Sequence, residues 1–180
     1  MRAFVAVWML ALMVCSAPAS AIQRPEVPPP PRPAENIVHL TEAEVIAQLP
    51  PRERQMVLGQ TEPRDRFEVL LDVSELRLAD IGAKVDAGAP SVTPELLLYE
   101  SVVRVTDELL RKPSTGIGAR DKRFKKLERR LGRQLSLLKA LVPSLSSDDQ
   151  ATGASVVANI TRIRNSALES ALDANVLNEP

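Results

Sequence analysis

Cysteine is almost missing from this 180-residue chain: the single one, Cys15, lies in the first 21 positions, together with the only tryptophan and three of the four methionines. From Ile22 onward no thiol remains for a disulfide, a nucleophile or a thiolate metal site, so the fold must stand on its core alone. Histidine is nearly as scarce. His39 is the only one, which excludes a histidine-dependent triad or a multi-histidine metal centre and leaves His39 as a lone base or, more plainly, an exposed linker residue. After residue 21 the aromatics are Phe67, Tyr99 and Phe124. All three fall on apolar stripes, which leaves little for stacking on nucleic-acid bases or sugars. Excess charge is absent as well. Basic and acidic residues number 23 each, and subtracting Arg2 with the first 21 positions leaves 22 against 23, too even for a global attraction to polyanions.

The first 21 residues read as a bacterial signal peptide. Arg2 gives a positive start, Ala3 to Val14 an apolar run, and Ala19-Ser20-Ala21 the small residues that a signal peptidase reads, so cleavage is expected after Ala21. The apolar run is shorter than the roughly 20 residues of a membrane span. Export to the periplasm or the exterior as a soluble protein follows, with a lipoprotein through Cys15 as the alternative. Residues 22–38 are a proline-rich linker with six prolines between Ile22 and Ala34, a stiff spacer of about 3 Å per residue. A proline-rich ligand for a partner is its second reading.

Residues 39–60 form a short helical preface. Thr41 with Glu44 makes a capping box, Leu40 can staple onto Val45, and the helix should end near Gln48 before Pro50 and Pro51. Pro51 starts a second turn or two, which Gly59 stops. Within it, Leu49-Pro-Pro-Arg-Glu-Arg-Gln-Met-Val-Leu58 resembles the first helix of region four of bacterial sigma factors and related helix-turn-helix proteins. The resemblance covers ten residues. It implies a turn and a DNA-reading helix next, but a long acidic helix follows instead, and no nucleic-acid partner is expected.

Residues 61–174 carry four long stripes at helical spacing, with 175–180 left as a tail. Phe67, Leu71, Ser74, Leu78, Ile81 and Val85 mark the first, ending near Gly88; its outer face is mildly negative. Thr93-Pro94-Glu95 restarts the chain, with Thr93 as capping hydroxyl, and Leu98, Val102, Val105 and Leu109 make a seam widened by Tyr99, Val103 and Leu110. Phe124, Leu127, Leu131, Leu135, Leu138 and Val142 form the third, over Arg120 to Val142. Ser147 with Gln150 then suggests a capping box, followed by Val156, Ile160, Ile163, Ala167 and Ala171. Short connections favour antiparallel neighbours in chain order. The expected fold is all-α: an antiparallel four-helix bundle behind the preface, with Phe67 and Phe124 at one end and Tyr99 at the other.

Chemistry is thinly represented. Ser136-Leu137-Leu138-Lys139 resembles the Ser-x-x-Lys spacing of penicillin-recognising serine enzymes, but the Ser-Asp-Asn and Lys-Thr-Gly companions are missing. Glu95, Glu100, Asp107 and Glu108 are expected on the solvated side of their helix, no Glu-x-x-His is present for a di-metal site, and Gly116-Ile117-Gly118 lacks the lysine of a phosphate loop. No cofactor or metal is expected. The basic face of the third long helix is the best candidate: from Arg120 to Lys139 nine bases meet two acids. Lys122, Lys125, Lys126, Arg129, Arg130 and Arg133 are its candidate residues for an anionic partner, and its plainer reading is a solvated face partly neutralised by the acids of the first long helix. The expectation is a non-enzymatic exported protein acting through protein contacts or self-association. Adsorption to anionic lipid or cell-wall polymer is the alternative, and a hydrolase comes third.

Overall fold

The computed structural model describes residues 40–112 and 117–176, with side chains from 120 to 173 in the second stretch. The chain divides into units 1–35 and 36–180, and all that follows concerns the second. The expected leader and linker, His39, and the tail beyond Val176 lie outside the described residues. Every described element is helical: α1 Glu42–Gln48, α2 Pro51–Leu58, α3 Pro63–Asp86, α4 Thr93–Arg111, α5 Ile117–Leu141 and α6 Ser147–Val176, with a 3-10 turn Val142–Ser144 after α5. The protein is all-α. None of these helices is long and apolar enough to cross a membrane.

Local chemistry sets most helix ends where the sequence places them. The Thr41 hydroxyl accepts from the Glu44 N–H while the Glu44 carboxylate accepts from the Thr41 N–H, the reciprocal capping box of α1. Those bonds hold the Glu44 carboxyl below its ordinary range. Pro51 and Pro63 open α2 and α3, where a missing N–H costs no helical bond. Gly88 closes α3 at φ 72°, a conformation a side chain would strain, and lets the Ala89 N–H reach back to Lys84 O.

Two caps differ from expectation, and one residue explains both. Thr93 is not the cap of α4: the helix starts after Val92, with no side-chain cap of its own. Asp149, in the first turn of α6, supplies the carboxylate instead. It accepts from the Val92 N–H at 2.9 Å, the Ser91 hydroxyl at 2.7 Å and the Thr93 hydroxyl. Its partner just before α6 is Ser146 rather than the expected Ser147–Gln150 box, since the Ser146 hydroxyl donates to Asp149 and accepts from its N–H. One buried carboxylate thus ties together the starts of two helices through residues 56 to 58 positions apart in sequence.

Four donors hold the Asp149 carboxyl far below the ordinary carboxylate range. A lowered folded-state pKa means that this stabilisation is fully present above the ordinary range and is lost as pH falls through the folded value. Glu53 and Glu100 act in the opposite sense, because burial raises both. The effect is therefore read as a difference. Asp149→Asn should melt roughly 5 °C or more below the parent at pH 7, and the gap should narrow steadily below pH 4. A gap that stays constant down to pH 2 would disprove the charged-cap role.

The apolar stripes face one core, which includes Phe67, Leu71, Leu96, Tyr99, Leu127, Leu131 and Ile160. Packing is densest between α5 and α6, then between α3 and α4 and between α4 and α6; α4 and α5 meet more sparsely, although they are consecutive. Pairings fix the relative directions. Thr93 with Asp149, Glu100 with Asn159 and Arg111 with Ser166 rise together along α4 and α6. Glu68 with Lys126 and Ser74 with Gln134 do the same along α3 and α5. The α3–α4 turn joins Lys84 to Glu95, and Glu128 of α5 pairs with Arg164 of α6.

Polar bonds also anchor the ends. Arg77 on α3 pairs with the buried Glu53 of α2, which holds the preface against α3, while Arg104 on α4 donates to Leu40 O at 2.7 Å. Gly153 lets α6 approach the α5–α6 turn, since a Cβ there would lie 2.7 Å from Leu145 Cδ1. Gly82 and Gly132 do not serve that end: nothing lies within 4 Å of a Cβ at Gly82, and the Arg164 side chain is what lies nearest at Gly132.

Tyr99 is not at the end opposite the phenylalanines. It lies fully buried near the middle, where its hydroxyl donates to Gln134 Oε1 at 2.9 Å, and Gln134 Nε2 donates to Ser74 Oγ at 2.9 Å. This relay links α4, α5 and α3 across the core. Burial drives the Tyr99 hydroxyl strongly upward in pKa, so it remains a neutral donor.

Candidate functional site

Along α5, residues 122, 126, 129, 130 and 133 recur at three- and four-residue steps, so their stems share a face outside the Leu127–Leu131–Leu135 seam. The structure brings Lys122, Lys125, Lys126, Arg129, Arg130 and Arg133 together around one open concavity of about 470 Å³. They are not equivalent. Lys126 is bonded to Glu68, and Arg130 lies 2.6 Å from Glu75 and 3.1 Å from Asp72. Those acids stand on α3 one turn apart and clamp α5 along its first half. The Glu75 bond raises the pKa of the Arg130 guanidinium further above its ordinary value. Lys125 is also engaged. Lys122, Arg129 and Arg133 are exposed and have no acidic partner among the described residues.

Beyond the clamp the two helices offer small and apolar side chains to each other. Leu78, Ala79 and Gly82 on α3 face Leu137 and Leu141 on α5 across a groove of about 480 Å³, with Arg133 at its rim. Gly82 leaves space where a side chain would stand. Among the described residues Leu137 is the most exposed large apolar side chain, at 64 %. The sequence marks the basic row but not this groove, since Leu137 reads there as an off-seam leucine and the gap depends on Ala79 and Gly82 of another helix. A third depression, between α1, α2 and the start of α3, is framed by Arg54 and Arg66. Its cations are already engaged, Arg54 with Ala47 O and Leu49 O, and Arg66 with Gln60 O and Glu42.

The remaining candidates fall apart geometrically. The Ser136 hydroxyl donates to Gly132 O of its own helix, and both Ser136 and Lys139 are exposed on it. Glu95 pairs with Lys84, Asp107 with Arg111 and Glu108 with Arg104. Glu100 corrects the expectation of a solvated acid. It is only 9 % exposed and accepts from Asn159 Nδ2 at 2.8 Å, because α6 covers that flank of α4. Burial raises its pKa against the lowering effect of that bond. Among the described residues no three of His, Cys, Asp and Glu are grouped to share a metal. Arg111 and Arg120 lie over the Phe124 ring at 5.4 and 5.7 Å, a cation–π stack that closes that end of the core.

No family model, curated protein or solved structure matches this chain. Its functional reading therefore rests on the basic row and the groove beside it.

Proposed function

We propose that this is an exported, non-enzymatic helical-bundle protein that works by protein contacts, and that the α3–α5 face is its docking surface. In this reading α3 to α6 form an antiparallel four-helix bundle, α1 and α2 are the preface, residues 1–21 are a leader removed near Ala21, and residues 22–38 are a proline-rich tether. The periplasm or the cell exterior is the working compartment. The observation that carries the reading is an exposed leucine, Leu137, in an apolar groove whose rim holds Arg133, an unpaired cation. Apolar contact gives a partner its affinity, and the row Arg129 and Arg133 steers an acidic one.

Photo-crosslinking from position 137 in the producing cell tests this, with the exposed Leu97 of α4 as control. Protein-sized adducts at 137 and not at 97 are expected. Equal labelling at both positions, or none at 137, would refute the docking face. The second reading, adsorption to an anionic surface, is favoured by Lys122, Arg129 and Arg133, which stand exposed in one row. It predicts that the protein sediments with anionic phospholipid vesicles but not neutral ones, that about 0.5 M salt releases it by screening, and that glutamine at the three positions abolishes binding.

A further inference from the structure

Two exposed leucines on α6, with acids beside them, are the counterpart this groove calls for. Leu168 and Leu172 are 42 % and 55 % exposed and stand one turn apart, about 6 Å at 1.5 Å per residue. Glu169 and Asp173 run beside them in a parallel row, both exposed and neither in an ion pair among the described residues. The groove repeats that spacing: Leu137 and Leu141 on α5 are one turn apart, as are Leu78 and Gly82 on α3, with Arg133 and Arg129 continuing the α5 row as unpaired bases. An apolar ridge beside free acids thus exists on the same molecule as an apolar groove that carries the free base Arg133, with Glu75, held by Arg130, at the same end.

The two surfaces cannot meet within one copy. α6 packs on the flanks of α4 and α5, through Asn159 with Glu100 and Arg164 with Glu128, whereas the groove opens between α3 and α5, beside the α5 end that leads into the 3-10 turn. Leu168 and Leu172 lie beyond Arg164 toward the far end of α6, level with the opposite end of α5.

We propose that the α3–α5 groove is occupied by the Leu168–Leu172 ridge of a second copy of this chain, with Glu169 and Asp173 set against Arg133 and Arg129. This names the partner of the docking face argued above and rests on that reading. Because ridge and groove are different surfaces, the contact is heterologous: each copy uses its ridge on one neighbour and its groove on another, so assembly continues into a ring or a linear chain. Two helical turns against one groove make a small contact of the weak, transient class. Self-association is therefore expected at high local concentration.

Sedimentation velocity of the full chain up to about 1 mM, at low salt and at 0.5 M salt, should show a weight-average mass rising with concentration at low salt. Leu137→Glu blocks the groove side and Leu172→Glu the ridge side. Both residues are exposed, and unchanged circular dichroism confirms that each variant is folded. Each variant alone should stay monomeric, while an equimolar mixture should form a dimer and stop there, since one intact groove meets one intact ridge. Arg133→Glu should weaken association at least tenfold, and Glu169→Arg in the same chain should restore it. Either leucine variant self-associating like the parent, or the mixture remaining monomeric, overturns the proposal. A parent chain that is monomeric throughout, but gives adducts from position 137 to another protein, removes the self-contact alone. Absence of both self-association and adducts removes the docking face with it.

Discussion

Leu131→Asp abolishes the folded state at neutral pH. Leu131 is fully buried at the middle of α5, between Leu127 and Leu135 on the seam that faces the core. Aspartate there removes roughly 2 to 3 kcal/mol of apolar burial and places an unpaired carboxylate in low dielectric, at an effective penalty of several kcal/mol more. A domain of this size is stable by only about 5 to 15 kcal/mol, so the sum consumes most or all of it. Acid should partly rescue the variant, because a neutral carboxyl is less costly to bury than a charged one. Leu137→Asp, six residues on and 64 % exposed, is the control and should change stability by about 0.5 kcal/mol or less. Thermal melts followed at 222 nm check both. A cooperative transition for Leu131→Asp at the parent temperature would mean the apolar stripe does not face the core.

That contrast shows what could be read in the sequence. The Leu127–Leu131–Leu135–Leu138 stripe is visible because a helix repeats every 3.6 residues and a core selects for apolar side chains at that period, so the α5 seam and its basic outer row separate cleanly. The same logic placed α3, α4 and α6, and it placed the capping box at Thr41 because every atom involved lies within four residues. Asp149 defeats it. The acid sits in an exposed-looking run of Ser and Asp, and its role depends on the Val92 N–H, brought within reach only when α4 and α6 pack. Glu100 was misplaced for the same reason, its burial being decided by Asn159 on α6. Chain order was a poor guide to neighbours. α4 packs mainly on α3 and α6 and only sparsely on α5, its successor in the chain.

At the candidate site the limit is finer. Nine bases over Arg120 to Lys139 announce a basic face, yet which of them remain available is decided by α3. Lys126 meets Glu68 and Arg130 meets Asp72 and Glu75 because α3 and α5 run in step, so the side facing α3 is neutralised while Lys122, Arg129 and Arg133 on the outer side are not. The groove is a property of two helices at once. Its depth comes from Ala79 and Gly82, which in sequence are merely small residues in a helix.

Gln134 is where polar chemistry enters the core, and its truncation is the second large effect. Flanked by Arg133 and Leu135, it reads as an ordinary surface glutamine, but it is only 2 % exposed and holds both Tyr99 and Ser74. Gln134→Ala takes away the only acceptor the Tyr99 hydroxyl has among the described residues, at roughly 1 to 3 kcal/mol for a buried unsatisfied donor, and leaves a void with a further cost of similar size. Ser74 loses less, since its hydroxyl still donates to Leu71 O at 2.7 Å. A total near 3 kcal/mol is expected, measured as the shift in urea midpoint at constant slope. Tyr99→Phe alone strands the Gln134 oxygen and should cost about 1 to 2 kcal/mol. The double variant Tyr99→Phe with Gln134→Leu removes donor and acceptor together and fills the space with apolar atoms, so its loss should fall below the sum of the Tyr99→Phe and Gln134→Leu losses by about 1 kcal/mol or more. Strict additivity would show that the two residues do not act as a pair. Coupling would mean that the Tyr99–Gln134 bond acts as a pair joining α4 to α5, where their apolar contact is sparse.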